Sequence, residues 1–140
     1  MSARVLIVQD SKLLLVKAKN SPWHIPGGHL DEGENLITCA KREAYEETGY
    51  EVEIGDLIYC FEFLDKQYLS HKVECVFLTH IIKPRVESKW NDLGHDQSVV
   101  AEKFFSLDEI QNSTDVKPDC LKDGRWLQAF SKQRVVYGAG

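Results

Sequence analysis

The chain has 140 residues, of which 43% are hydrophobic and 28% are charged, and its formal net charge is −5. This balance indicates one globular domain over residues 1–140 rather than a disordered chain, and the acidic charge argues against nucleic acid as the main partner. Because no stretch approaches the roughly 20 apolar residues of a membrane-spanning helix and the first residues lack a secretory leader, we expect a cytoplasmic protein that does not bind a membrane.

The first part of the chain predicts short strands joined by turns. Residues 3–8 and 12–17 are rich in Val, Leu and Ile, and the polar residues 9–11 between them favour a turn, so the two strands are expected to form a hairpin. A loop that carries Trp23 and His24 follows. A further short strand then leads directly into the sequence Pro-Gly-Gly at residues 26–28.

A helix is predicted within residues 28–50. Apolar residues recur there at helical spacing, namely Leu36, Ile37, Ala40 and Ala44, and Gly49 stands where a C-terminal cap is expected. Glu43, Glu46 and Glu47 lie on a neighbouring arc of the same helix, where like charges repel one another. A solvated acidic surface is one explanation of this arc, and a functional cluster of carboxylates is the other.

The second part of the chain predicts three more strands and a final helix. The strands cover residues 52–64, 73–82 and 99–105, a capped helical turn covers 106–110, and the helix runs from about residue 118 to about 133. The first two strands alternate imperfectly, which is expected of strands covered on both faces. Residues 84–97 form a long polar loop of the kind that is often functional. The tail at 135–140 is either an added strand or frayed and flexible.

The four cysteines are Cys39, Cys60, Cys75 and Cys120. None stand in C-x-x-C spacing, which argues against a structural zinc site. Cys60 and Cys75 lie on two strands that should pair, so a disulfide between them is conceivable. For a protein expected in the cytoplasm, buried free thiols are favoured.

Residues 28–50 resemble the Nudix box, G-x5-E-x7-R-E-U-x-E-E-x-G-U, where U is a bulky aliphatic residue. The fixed positions are held without a gap by Gly28, Glu34, Arg42, Glu43, Glu46, Glu47 and Gly49. Ala44 and Tyr50 stand at the two U positions in place of the usual Leu, Ile or Val. Residues 23–28 are similar to the family's W-x-x-P-G-G entry, and residues 102–110 resemble a stretch near its C-terminal end, with Phe in place of Trp.

This resemblance covers about residues 3–133 and implies an α/β/α sandwich with a central mixed sheet. It also implies an Mg²⁺-dependent pyrophosphohydrolase, in which Mn²⁺ can substitute. The metal ligands would be the carbonyl of Gly27 and the carboxylates of Glu43, Glu46 and Glu47, because Mg²⁺ prefers oxygen ligands. Glu102 occupies the place of an extra metal-binding or water-activating carboxylate, although a glutamate at the rim of a strand explains it equally well.

The resemblance implies a catalytic set of four residues, Glu34, Arg42, Glu46 and Glu47. Glu34 and Arg42 would form a supporting ion pair that orients the loop and the helix. Glu46 or Glu47, or alternatively Glu102, would orient or deprotonate the attacking water.

Candidate substrate contacts lie mostly outside the box. Lys17 and Lys19 are candidates for phosphate, and Trp23 and Tyr68 for stacking on a base, although Trp23 fits a core position and Tyr68 a hairpin cap. His29 lies inside the box loop. The expected substrate is a nucleotide-type small molecule, such as a nucleoside triphosphate, dinucleoside polyphosphate or nucleotide sugar, bound by a monomer or homodimer. The alternative function is a catalytically retired scaffold that senses nucleotides or binds a protein.

Overall fold

The computed structural model describes residues 1–67, 69–83, 85 and 99–139. In chain order its elements are β1 (Ser2–Leu6), β2 (Val8–Gln9), β3 (Lys12–Ala18), β4 (Trp23–His24), β5 (Gly27–His29), α1 (Leu36–Thr48), β6 (Glu51–Asp65), β7 (Ser70–Lys83), β8 (Val99–Phe105), α2 (Leu107–Gln111), β9 (Val116–Lys117), a 3-10 helix (Asp119–Asp123) and α3 (Arg125–Ala139).

The strands form two mixed sheets. In the first, the order is β5-β1-β7-β6, with β1 parallel to β7 and the other neighbours antiparallel. In the second, β3 is antiparallel to β2, β4 and β8, and β9 runs parallel to β4. The predicted hairpin is therefore present between β2 and β3. The single strand predicted over residues 3–8 is instead divided at Ile7, because β1 pairs with β7 while β2 pairs with β3.

Both faces of β3 are buried, which gives the molecule its layers. Leu14 packs on one side with Ala40 and Ala44 of α1. Its neighbours Leu13 and Leu15 pack on the other side with residues of the C-terminal helices, including Leu121 and Trp126. Because successive side chains of a strand point to opposite faces, one run of leucines fills two cores. The α/β/α architecture with mixed strands expected from the sequence is confirmed.

The prediction that β6 and β7 are covered on both faces is wrong for the far end of this hairpin. Phe63 and Leu64 of β6 are exposed, Leu64 by 67%. The reason is the length of the neighbouring strand. β1 pairs with β7 only from Glu74 to Leu78, so the hairpin extends beyond the rest of its sheet.

Helix α1 has clear ends. Asn35 Oδ1 accepts a 2.8 Å hydrogen bond from the amide of Thr38, and Gly49 follows the helix with φ 76°. Its buried face is formed by Cys39, Ala40, Ala44, Glu47 and Thr48. Ile37, predicted on the apolar face, is 43% exposed. The buried side thus shares Ala40 and Ala44 with the predicted stripe, adds Cys39 and Thr48, and includes a glutamate.

The end of the chain differs from the prediction of one helix from about residue 118. Gly124, with φ 75°, separates the 3-10 helix from α3. Residues 135–139, for which a strand was one alternative, continue α3. The predicted capped turn at 106–110 is confirmed, because Ser106 and Glu109 form a reciprocal capping box. The polar loop predicted at 84–97 lies outside the described residues except for Arg85.

All four cysteines are free thiols. Cys39 and Cys75 are buried as expected, whereas Cys60 is exposed and Cys120 is half-buried. Cys60 and Cys75 are directly opposite each other on β6 and β7, with their sulfur atoms 4.0 Å apart. Among the described helices, none is long and apolar enough to span a bilayer.

Candidate active site

Strand β5 places two glycines against the glutamate-bearing side of α1. The amide of Gly27 donates a 2.8 Å hydrogen bond to Glu47 Oε2, and Glu47 is only 6% exposed. A side chain at Gly27 is excluded, because a Cβ atom there would lie 2.5 Å from the carbonyl oxygen of Ala3 and 2.5 Å from Arg4 Cγ. The absence of a side chain therefore allows β5 to pair closely with β1.

Gly28 lies in close contact with a second glutamate of α1. A Cβ atom at Gly28 would lie 2.6 Å from Cδ of Glu43, so the Glu43 carboxylate lies directly over this glycine. Glu43 and Glu47 are one helical turn apart, and the glycines they contact are consecutive. The structure thus brings together three of the residues predicted to surround a metal ion, Gly27, Glu43 and Glu47.

Arg42 and Glu34 form the bidentate ion pair expected of supporting residues. Arg42 Nε lies 2.8 Å from Glu34 Oε2, and Nη2 lies 3.0 Å from Oε1. These hydrogen bonds, together with one from the amide of Asp31, lower the pKa of Glu34 to about 2. The same carboxylate raises the pKa of Arg42 above its ordinary value. Nη2 also donates to the carbonyl of His29 at 3.3 Å, so Arg42 links the helix to the loop before it.

The other nitrogen of Arg42 faces the helix glutamates. Nη1 lies 3.0 Å from Glu43 Oε1 and 3.1 Å from Glu46 Oε2, and Asp31 Oδ2 lies 3.5 Å from Nε. One guanidinium thus faces the carboxylates of Glu34, Glu43, Glu46 and Asp31, and Glu47 lies beside them. The cluster carries more negative than positive charge, which favours binding of a further cation.

The carboxylates are not arranged as a closed metal cage. Within the described part of the chain, no three His, Cys, Asp or Glu side chains converge closely enough to hold an ion. Glu43 and Glu46 face Arg42, and Glu47 faces the Gly27 amide. The donors fit a hard divalent cation in chemistry and charge, since all of them are carboxylate oxygens on one rigid helix. On binding the ion, Glu43 and Glu46 would give up their ion pairs with Arg42 and coordinate the ion instead.

Glu102 lies on β8 opposite Val16, and its side chain is 19% exposed. It forms an ion pair with Arg85, which also donates a 2.8 Å hydrogen bond to the carbonyl of Thr48 at the end of α1. Glu102 is therefore connected to the helix one residue beyond Glu47 and is not a solvated rim glutamate. Arg85 was missed by the sequence analysis, because a single arginine in a polar loop carries no distinguishing pattern.

The predicted substrate contacts are distributed differently from the expectation. Lys17 Nζ pairs with Asp115 at 3.0 Å and lies 5.8 Å from the centre of the Trp23 ring. Trp23 packs edge-on against Phe105, with ring centres 5.1 Å apart, which favours the core position for it. Lys19 is exposed, and Tyr68 lies outside the described residues. His29 is the candidate closest to the box, where its Nδ1 lies 3.1 Å from Ser2 Oγ.

A separate cavity of about 340 Å³ lies beside β1. Arg4, the strand partner of Gly27, lines it and pairs with Glu74 at 3.1 Å. Phe61 and Phe63 supply aromatic walls, their rings 6.4 Å apart and inclined by 22°. His24 also lines the cavity, and burial lowers its pKa. The two phenylalanines could have been found from their spacing, since residues two apart share one face of a strand.

Known proteins are similar to this chain in sequence. A family model described as the NUDIX domain matches residues 1–130. The ADP-ribose pyrophosphatase of Methanocaldococcus jannaschii is 32% identical over 126 residues, which cover 86% of this chain and 70% of that protein. Alignments with several further curated relatives cover less than half of those proteins.

Solved structures share the fold. A NUDIX hydrolase from Nitrosomonas europaea superposes with a TM-score of 0.73 at 22% identity, covering 94% of this chain and 88% of that one. A UDP-X diphosphatase superposes with a TM-score of 0.72 at 21% identity, covering 95% of this chain and 63% of that one. At these identities the likeness establishes the fold alone.

Proposed function

The chain belongs to the Nudix family, and on this premise we propose that it is an Mg²⁺-dependent pyrophosphohydrolase that cleaves a nucleoside diphosphate linked to another moiety X. As a Nudix hydrolase it acts on phosphorus-containing anhydrides. Two similar proteins are named ADP-ribose pyrophosphatase and UDP-X diphosphatase, and these names support a nucleotide-derived substrate. Nucleoside triphosphates, dinucleoside polyphosphates and nucleotide sugars all belong to this class.

The observation that carries the proposal is the contact of two helix glutamates with two consecutive glycines. Glu47 accepts the Gly27 amide, and Glu43 lies over Gly28. Hard oxygen donors on a rigid helix thus meet a backbone without side chains, where a carbonyl can join them as a ligand. A helix with merely solvated glutamates would not need this contact, and it would not bury Glu47.

We assign the metal site to the carboxylates of Glu43, Glu46 and Glu47 and the carbonyl of Gly27, with Glu102 as a further ligand. Mg²⁺ is the expected ion and Mn²⁺ a substitute. When bound, the ion supplies charge neutralisation for the phosphate oxygens of the anhydride. Arg42 and Glu34 hold the loop and the helix in register, so that the ligands keep their relative positions.

The water-orienting base is one of Glu46, Glu47 and Glu102. Glu47 is buried and bonded to the strand, which suits a ligand better than a group that must exchange protons with water. The side chain of Glu46 is 44% exposed and lies on the same helix, within reach of solvent. We therefore favour Glu46 for accepting the proton of the attacking water.

The cavity lined by Arg4 is proposed to receive the nucleoside or the moiety X, because Arg4 is the strand partner of Gly27. Its volume of about 340 Å³ is at the lower end of ligand sites, which span roughly 300–1,000 Å³. Phe61 and Phe63 offer ring faces on which a base can stack, and the Arg4–Glu74 pair offers charged hydrogen-bonding groups. His29 follows Gly28 on β5 and is the proposed phosphate contact. This assignment replaces Trp23 as the stacking residue.

The alternative of a retired scaffold is disfavoured by the box itself. Loss of activity would be expected to remove selection for Glu34, Arg42 and the three helix glutamates, yet all are present. We also propose that the whole chain forms one domain, because adjacent leucines of β3 belong to its two core clusters.

A substrate panel tests the proposal. Purified protein is incubated with Mg²⁺ and nucleoside triphosphates, dinucleoside polyphosphates or nucleotide sugars, and products are separated by ion-exchange chromatography. We expect a nucleoside monophosphate from at least one class, and loss of that product in Glu43→Gln. The control is Glu53→Gln, which changes an exposed glutamate of β6 and should retain activity. Product formation that survives Glu43→Gln would place the chemistry elsewhere, and no product from any class would favour the retired scaffold.

A further inference from the structure

Arg85 makes three contacts that join separate parts of the fold. Its Nη1 donates a 2.8 Å hydrogen bond to the carbonyl of Thr48, and its guanidinium forms an ion pair with Glu102. The guanidinium carbon also lies 4.8 Å from the centre of the Tyr50 ring. The side chain is 11% exposed. Arg85 thus connects β8 to the end of α1.

These contacts use properties that lysine lacks. A guanidinium has five N–H donors in one plane, so it can bond a carboxylate and a carbonyl together while its face lies on an aromatic ring. The Thr48 carbonyl is in the last turn of α1, where backbone carbonyls lack helical partners and the helix dipole favours a cation. The Tyr50 ring is itself packed edge-on against Phe104, with centres 6.5 Å apart, which fixes the surface on which Arg85 lies.

The position of the Thr48 carbonyl gives this contact its significance. Thr48 directly follows Glu47, and its hydroxyl donates a 2.6 Å hydrogen bond back to the carbonyl of Ala44. The last turn of the helix is therefore tied by a side-chain hydrogen bond. An ion pair anchored there holds the Glu102 carboxylate at the end of α1 that carries Glu47. Arg42 forms ion pairs with Glu43 and Glu46, whereas Arg85 forms one with Glu102.

We propose that Arg85 is a positioning residue for the hydrolytic reaction, which fixes Glu102 beside the C-terminal end of the glutamate helix. Glu102 contributes to turnover, as a ligand or as a group that orients water, only while Arg85 holds it. This inference rests on the proposed function and adds to it a residue outside the box. Arg85 itself touches no reacting atom in this account and acts through Glu102.

The test compares Arg85→Gln, Glu102→Gln and the double variant on the substrate found in the panel. Misplacement of a participating group by about 1 Å can cost 10²-fold, so each single variant should lose at least about tenfold in kcat with little change in KM. Each change breaks the same Arg85–Glu102 ion pair, so the two effects should not add. The double variant should therefore be no slower than the slower single variant. Arg85→Lys should recover part of the loss, since it keeps the charge but not the planar fork.

A matched control comes from Arg125. Its guanidinium carbon lies 5.1 Å from the centre of the Tyr59 ring, and its Nη2 lies 3.6 Å from Asp123, so its contacts resemble those of Arg85 at another place. Arg125→Gln should keep the kcat of the unmodified protein. The melting temperature of every variant is also measured without metal. The kcat of each variant is then calculated per molecule of folded protein. If Arg85→Gln fails to fold, Arg85→Lys takes its place in the cycle.

Several results would overturn the proposal. If Arg85→Gln and Glu102→Gln both keep the full kcat, Glu102 takes no part in the reaction. If the fold-losses of the two single variants multiply in the double variant, Arg85 does not act through Glu102. A loss confined to KM or to the folded fraction would indicate a merely structural arginine. Glu43→Gln in the same assay separates this failure from that of the proposed function, because its loss of activity depends on neither Arg85 nor Glu102.

Discussion

The carboxylate of Glu47 accepts a 2.8 Å hydrogen bond from the backbone amide of Gly27, so the helix that carries the glutamates is bonded directly to the glycine strand. Both partners are buried, and a hydrogen bond to a charged acceptor away from water is worth about 1.5–3 kcal/mol. This bond fixes the distance between a candidate ligand on α1 and the backbone beside it. The arrangement serves the fold and the site at once.

Alanine substitutions at the two glycines should have different effects. At Gly27 the new Cβ would meet the backbone of β1, which cannot withdraw, so Gly27→Ala should destabilise the protein by about 1–3 kcal/mol or more. At Gly28 the new Cβ would meet the far end of the Glu43 side chain, which can rotate away. Gly28→Ala should therefore lose activity with only a small fall in melting temperature. Thermal unfolding and kcat measured together check this, and equal destabilisation by both would contradict it.

Arg42→Lys should impair turnover although the charge is kept. Arg42 uses separate nitrogens for the bidentate pair with Glu34 and for Glu43 and Glu46, and an ammonium group cannot span these partners. Loss of residues that orient metal ligands costs about 10–100-fold in activity or affinity. Steady-state kinetics provide the measurement, with Lys41→Arg on the preceding residue of α1 as the control. A lysine variant with unreduced kcat/KM would show that the planar fork is unimportant.

Protonation of Glu34 should weaken the protein in acid. Its pKa is lowered from 4.5 to about 2 by Arg42 and the Asp31 amide, so the folded state binds this proton less readily than the unfolded state. The stabilisation is fully present above about pH 4.5 and is lost as the pH falls from there toward 2. The melting temperature of Glu34→Gln should accordingly fall less across this interval than that of the unmodified protein. Parallel curves for the two proteins would argue against the pair as a source of acid sensitivity.

The helix and its ion pair were predictable because their pattern is local. Residues 28–50 specify the helix, its glycine cap and the Glu34–Arg42 pair within one segment, and the structure has all three. Ile37 was misplaced because periodicity gives the apolar face of a helix but not which of its residues the neighbouring strands cover.

The cavity and the second arginine depend on contacts between distant parts of the chain. Arg4 meets Glu74 only because β1 pairs in parallel with β7, and no local sequence pattern predicts this pairing. Glu102 and Arg85 also come from different parts of the chain, since Arg85 follows β7 while Glu102 lies on β8, which pairs with β3. The division of the first strand at Ile7 likewise follows from the choice of partners by two sheets.

The four thiols should differ in reactivity. Cys60 is exposed and Cys120 half-buried, whereas Cys39 and Cys75 are buried. Burial raises the pKa of Cys39, Cys75 and Cys120, so exposure alone distinguishes Cys120 from the two buried thiols. A thiol-specific reagent such as Ellman's should label Cys60 and Cys120 first in the native protein, and all four after denaturation. Cys60→Ser should remove a fast phase, while Cys39→Ser should not. If fewer than four thiols react in the denatured, unreduced protein, Cys60 and Cys75 have formed a disulfide bond.

Metal binding tests the central claim most directly, because the glutamates of α1 are assigned to hold Mg²⁺. The melting temperature is measured by calorimetry with and without Mg²⁺ for the unmodified protein, Glu47→Gln and the exposed control Glu53→Gln. A ligand at about one hundred times its Kd adds about 2.7 kcal/mol of stability, which corresponds to a rise of several degrees for a domain of this size. We predict this rise in the unmodified protein and in Glu53→Gln, and its loss in Glu47→Gln, whose amide can still accept the Gly27 bond. An equal response of all three proteins to Mg²⁺ would show that the metal does not bind at these glutamates.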